Sequence, residues 1–206
     1  LPSVTTPEWA IFMNLKAAMC LLFLVGLTGI YARQVPEVGW LGLAGYLLFS
    51  LNWAVNLAYI FAEGYILPLL ASASPQFVES FLTLANGQPA PMNLGGLSTI
   101  YGLSGFVGYM LGGLLFGVAT LRAAILPRGA AALLAATAVL TPAAALLPHE
   151  FQRLVGMPMG LAVAWLGYAL WSQRRAAAVA YRRPPPSKPA AGRSTADPEG
   201  VDPLRV

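Results

Sequence analysis

Five stretches of the chain, at 9–31, 40–61, 97–121, 130–147 and 154–171, are each apolar over 18 to 25 residues. A helix needs about 20 such residues to cross the ~30 Å hydrocarbon core of a bilayer. Their apolar side chains fall at every angle around a helix, which suits lipid better than one-sided burial. No stretch alternates polar and apolar with the period of a barrel strand. Over the whole chain 57% of residues are apolar and 10% charged. Folded soluble proteins of this size leave roughly 30% of the unfolded chain's surface wet, too much for this composition to cover with polar groups. An ordinary cytosolic enzyme is excluded, and so is disorder outside the tail. The expected fold class is all-α: a polytopic transmembrane bundle of five spanning helices over 1–172, followed by a basic, disordered C-terminal tail at 173–206. The second span has an apolar continuation to residue 71. The fourth carries the weakest signal, being alanine-rich and interrupted by Thr137, Thr141 and Pro142.

Charge orients these spans. Residues 1–172 hold five basic and five acidic side chains, so the net charge of +4 resides in the tail, which has seven basic and three acidic residues. A basic tail is not a basic folded face, and no nucleic-acid partner is expected. Arg33 follows the first span, Arg122 and Arg128 separate the third from the fourth, and the tail follows the fifth. Alternating the spans puts ten of the twelve basic residues on one side, leaving out Lys16 and Arg153. The positive-inside rule makes that side cytoplasmic. The expected location is the plasma (inner) membrane, with the C-terminus cytoplasmic, the N-terminus outside, and the bilayer itself as a partner. The chain starts at Leu1 with no signal-peptide pattern. An additional upstream helix would return the N-terminus to the cytoplasm. The long outer loop 72–96 contains Phe77, Val78, Phe81 and Leu82 at helical spacing, which predicts a short helix at 75–85. That helix either lies on the outer membrane surface or is a packed loop turn. Residues 86–93 read as turn and coil. Arg174 and Arg175, just after Trp171, sit where anionic headgroups or topology alone would place them.

Chemistry-bearing residues are sparse. A single cysteine (Cys20) and a single histidine (His149) exclude an intramolecular disulfide, a bis-histidine haem and a zinc site of several His and Cys. No cofactor and no metal site are expected. There is no P-loop, no G-x-S-x-G and no HExxH, so no catalytic residue is assigned. The one patterned set lies on the second span. Asn52, Asn56, Tyr59 and Glu63, at i, i+4, i+7 and i+11, fall within an arc of about 60°. A polar stripe of this kind either glues helices together through interhelical hydrogen bonds, binds a small polar or ionic ligand, or relays protons through Glu63. Lys16 lies about 10 Å below Trp9 along the first span, near Asn14 and at a depth like that of Glu63. A Lys16–Glu63 pair is therefore expected. An unbroken helix from 40 to 71 would be about 48 Å long, so a break is expected near Gly64–Pro68.

The third span is rich in glycine. Ser104, Gly108 and Gly112 form one small-xxx-small ladder, and Gly113 and Gly117 another. Close backbone approach at such ladders places this span at the centre of the bundle, or at a homodimer seam. His149, Glu150 and Arg153 form an outer loop cluster, either a solvated set or a weak metal or proton site. Met157, Pro158 and Met159 read as packing at the start of the fifth span.

The runs GLTGIYARQ, ILPLLA, LLFGVATLRAAILPRGAAALLA and AWLGYALW before an Arg-rich tail resemble small five- or six-helix polytopic membrane proteins of high-GC bacteria. No activity is assigned to that family, so the resemblance implies a fold and no site residue. Three functions follow as expectations. The first is a non-catalytic accessory or scaffold component, alone, as a homo-oligomer or in a larger membrane complex. The second is a small solute- or ion-binding transporter using the stripe. The third is a membrane-embedded enzyme, for which the sequence offers no reactive set.

Overall fold

The structure, a computed structural model, describes residues 2–141 and 156–182, all helix and turn with no strand among them. A short 3-10 turn, Pro2–Thr5, leads into α1, Pro7–Phe61. The Thr6 hydroxyl caps this helix by accepting from the Trp9 N–H at 3.3 Å, and Pro7 at the first turn gives up an N–H that no helical partner would take.

α1 is a hairpin of two helical arms. At Gly39 the backbone turns to φ 53, ψ −153, a conformation that side-chain-bearing residues avoid. The arms 7–38 and 40–61 then run antiparallel. Tyr31 stacks on Tyr46 at 4.6 Å and Phe23 on Trp53 at 4.1 Å between ring centroids, and the Thr28 and Tyr46 hydroxyls lie 2.9 Å apart. The sequence predicts that the first helix ends at 31. The helix instead runs on to the turn, because Gln34 and Val38 are buried there. Gln34 Nε2 donates to Thr120 Oγ1 at 2.7 Å.

Near Glu63 the expected break takes another form. The second arm passes through a π turn, Ala62–Ile66, and continues as α2, Leu67–Leu70. Pro68 has no N–H to give, and the Leu67 N–H bonds the Ala62 carbonyl five residues back. The wider register absorbs the proline without interrupting the rod. The next helix, α3 (Pro75–Ala85), is where the spacing predicts a helix. It does not offer its apolar face to a membrane surface. Val78 and Phe81 are buried, with Phe77 and Leu82 packed beside them, in a cluster with Tyr59, Leu67 and Val4. Protein partners at the end of the hairpin take the apolar area that a lipid surface would otherwise cover.

A 28-residue rod, Gly96–Ala123, follows. It consists of α4 (Gly96–Leu103), a π segment (Ser104–Leu111) and α5 (Gly112–Ala123). Then come α6 (Arg128–Leu140) and α7 (Met157–Arg182). Residues 142–147 and 154–155 of the expected fourth and fifth spans lie outside the described residues. So do 183–206 of the expected tail. Its first ten residues, 173–182, are helical and not disordered. The stretch is alanine-rich, hence a good helix former. Gln173 Nε2 donates to the Ile125 carbonyl at 3.1 Å, and the Arg175 guanidinium lies 4.0 Å from the Trp171 ring centroid.

By length and composition, two helices among the described residues are able to cross a membrane, Pro7–Leu70 and Gly96–Ala123; α6 is apolar but shorter. The main core joins the hairpin to α5, α6 and α7 through Leu27, Phe49, Phe116, Leu134 and Leu166, all fully buried. Glycines set how closely the rods approach. A Cβ on Gly45 would lie 2.4 Å from Phe116 N, one on Gly112 2.6 Å from Phe49 N, and one on Gly108 2.7 Å from Asn52 Cβ. On the rod's other side, a Cβ on Gly113 or Gly117 would lie 2.8 Å from Ala138 or Ala135. The glycine rod therefore sits between the second arm of α1 and α6, with backbone against backbone.

Candidate functional site

The structure divides the expected stripe into two. At one end of the hairpin, Lys16 Nζ lies 3.2 Å from Glu63 Oε2. Glu63 is buried and the Lys16 side chain one-third exposed, at 34%. Antiparallel pairing of the arms brings these two residues level. The π turn contributes as well. In the π register the Glu63 carbonyl would bond the N–H of residue 68, which is a proline, while the Leu67 N–H is taken by Ala62. The Trp9 indole N–H supplies the missing donor at 3.0 Å. Beside this cluster the Tyr65 hydroxyl donates to Asn14 Oδ1 at 2.7 Å. Tyr59 belongs with α3 and α4: its hydroxyl donates to the Leu97 carbonyl, and its ring lies 5.4 Å from Phe81 and 5.0 Å from Tyr101. Tyr59 and Glu63 are thus held by the protein's own groups.

Asn52 and Asn56 stand apart from that end. They line a cavity of about 590 Å³ where the rod Gly96–Ala123 diverges from the second arm of α1. Below it the rods touch at Gly108 and Asn52; above it Gly102 and Gly105 carry nothing within 4 Å of where a Cβ would sit. Asn52 is 2% exposed. Asn56 Nδ2 donates to the Asn52 carbonyl at 2.9 Å and to Asn52 Oδ1 at 3.2 Å. Trp53, Tyr101, Phe106 and Tyr109 supply aromatic wall, Ser98, Ser104, Gln88 and Thr141 polar wall, and no charged side chain takes part among the described residues. Trp53, Phe49 and Tyr109 meet edge-on at 5.7 to 6.5 Å, which stiffens the floor. The Tyr109 and Thr141 hydroxyls are 3.3 Å apart, and the Tyr101 hydroxyl donates to the Ala85 carbonyl at 2.9 Å.

Of the wall residues, the stripe predicts only the two asparagines. The rest of the wall goes unpredicted because the lining is assembled from four separate stretches, 52–56, 84–89, 98–109 and 141. Its one trace in the sequence is the mixture of Tyr, Ser and Phe among the glycines of 98–109. Gly108, Gly112, Gly113 and Gly117 lie at helix contacts and outside the cavity wall. Cys20 is buried and free. No group of three or more His, Cys, Asp or Glu side chains gathers among the described residues. His149, Glu150 and Arg153 lie outside the described residues. Comparison of the chain with protein-family models, with curated proteins and with solved structures finds no match.

Proposed function

We propose that the chain is a multi-pass integral membrane protein of the plasma membrane, a five-span bundle with a cytoplasmic C-terminus and a non-catalytic accessory or scaffold role. The observation that carries this reading is the outward face of the long apolar rods. Ile11, Leu15, Leu22, Val25 and Leu69 are each at least 67% exposed, and only 17% of the most apolar window of Pro7–Leu70 is buried. In water such a face drives association; in lipid it needs no cover. The distribution of charge supports the orientation. Gln34 meets Thr120, and Gln173 meets Ile125. These contacts gather Arg33, Arg122, Arg128, Arg174 and Arg175 toward one end of the bundle, as a cytoplasmic end requires. The opposite end holds Lys16, whose charge is matched by Glu63.

The accessory reading draws on the state of Glu63. Its carboxylate has a cation partner within the chain, and no second acid is grouped with it among the described residues. That is the arrangement of a helix clamp. The transporter reading draws on the cavity, and a small uncharged solute fits it better than an ion. Two measurements test the membrane reading. The full chain expressed in bacteria is expected to stay with membranes in alkaline carbonate and to leave them in detergent. Alkaline phosphatase fused after Val206 is expected to be inactive, and fused within 86–93 active. A carbonate-soluble chain, or an active C-terminal fusion, overturns it.

A further inference from the structure

We propose that the cavity beside Asn52 is a binding site for an uncharged amphiphile, a molecule with one hydroxyl or carboxamide head on an apolar body. This goes beyond the accessory role and does not depend on it.

Size sets the first condition. About 590 Å³ falls inside the 300–1,000 Å³ range of small-molecule sites. Charge sets the second, because none of the described residues that line the wall is Asp, Glu, Lys or Arg and an unpaired ion brought there would lose its hydration without a counter-charge. Asn52 supplies the head-group contact. It is 98% buried, being 2% exposed. Its Oδ1 accepts from Asn56, and its Nδ2 has no acceptor among the described residues. The Asn56 Nδ2 donates to Asn52, which leaves the Asn56 Oδ1 as an acceptor. A donor and an acceptor side by side match a hydroxyl or a carboxamide, each of which both donates and accepts. The apolar body has its own surface in Trp53, Phe106 and Tyr109. Gly102 and Gly105 keep the space open, for neither carries a side chain into it and nothing lies within 4 Å of a Cβ at either position. The wall segment is also a π helix, Ser104–Leu111, a geometry that recurs at functional sites.

The glycines make the test clean. Gly105→Leu and Gly102→Leu add a side chain to the cavity wall at positions where a Cβ meets no atom within 4 Å, so both variants should fold, which their melting temperatures check. The full chain in lipid nanodiscs is titrated with benzyl alcohol, which arrives through water, and with 1-dodecanol, which arrives through the bilayer. Benzoate and dodecanoate serve as charged counterparts. Saturable change in tryptophan emission, in a chain whose Trp40, Trp165 and Trp171 are Phe and whose Trp9, bonded to the Glu63 carbonyl, is kept beside Trp53, reports binding, and thermal shift of the parent corroborates it. The expected result is saturable binding of at least one alcohol, weakened about tenfold or more by each leucine variant and by the corresponding carboxylate. Binding of dodecanol alone identifies a bilayer source, of benzyl alcohol alone an aqueous one, and of both a site selective for the head group. The inference is overturned if neither alcohol binds saturably, if both leucine variants bind like the parent, or if the carboxylates bind as tightly as the alcohols. Any of these results in a carbonate-resistant protein leaves the membrane reading standing.

Discussion

Replacing Gly112 with alanine should destabilise the fold, while the same change at Gly105, one ladder away on the same rod, should not. A Cβ at Gly112 would lie 2.6 Å from Phe49 N and 2.9 Å from both Leu48 C and Leu48 Cβ. Non-bonded carbon atoms rest at about 3.5 to 4.0 Å, so the two rods would have to part by most of an ångström. Two of the three atoms are backbone and cannot rotate aside. One turn further along, Gly45 holds the same pair of rods against Phe116 N, so the whole crossing must open. Overpacking of this kind costs about 1–3 kcal/mol. Alanine recovers roughly 0.5–1 kcal/mol as a better helix former than glycine. Taking the middle of each range leaves a net loss of about 1 kcal/mol, or a melting temperature lower by about 2–4 °C for a chain of this length. At Gly105 nothing lies within 4 Å, and only the gain of about 0.5–1 kcal/mol remains. Thermal unfolding of the two variants in one detergent, followed by tryptophan emission, reads the contrast. Gly112→Ala melting at or above the parent would refute the close-packed crossing.

Two further outcomes test the polar contacts. Lys16→Glu and Glu63→Lys should each lower expression and melting temperature by putting like charges at the 3.2 Å contact; breaking a fully buried pair costs about 3–5 kcal/mol, less here because Lys16 is part-exposed. The double exchange should recover most of the loss, and a double variant no better than the worse single one would count against the pair. At the other end of the hairpin, Thr120→Val strips from Gln34 Nε2 the one acceptor it has among the described residues and should cost about 1–3 kcal/mol. Adding Gln34→Leu should restore much of that stability, because an apolar pair leaves no buried donor stranded; urea or SDS titration of the three variants decides it.

Where the sequence carries a one-dimensional signal, the structure follows it closely. The amphipathic spacing and Pro75 mark α3 to the residue, and the glycine rod reaches Gly96–Ala123 where the apolar run suggests 97–121. Lys16 and Glu63 are level because depth along a helix is a matter of counting. Features that depend on three dimensions are not legible in this way. The gap between the apolar runs 9–31 and 40–61 suggests a loop; the helix persists because Gln34 finds Thr120, 86 positions away, and a single glycine makes the turn. Periodicity fixes which residues share a helix face and not what packs opposite them, so the stripe at Asn52, Asn56, Tyr59 and Glu63 reads as one surface when its two halves have different neighbours. Nor does composition show that 173–182 continues a helix, since the same alanines suit a tail until Gln173 meets Ile125.

The divided stripe follows from how the interior treats its two kinds of polar group. A carboxylate without a counter-ion is costly to bury, so the Glu63 position must be completed by the chain itself. Lys16 neutralises the side chain, and Trp9 takes up the carbonyl released by the π register. The charge at that end is matched within the chain, and a solute binding Glu63 would have to displace a bond to a charge. An asparagine is different. Its unpaired amide group costs far less than an unpaired ion, so the fold tolerates Asn52 with its Nδ2 bonded to no acceptor among the described residues, at the floor of an open space. The charged end therefore serves as the clamp between the arms of the hairpin, and the uncharged end is where a second molecule can be received.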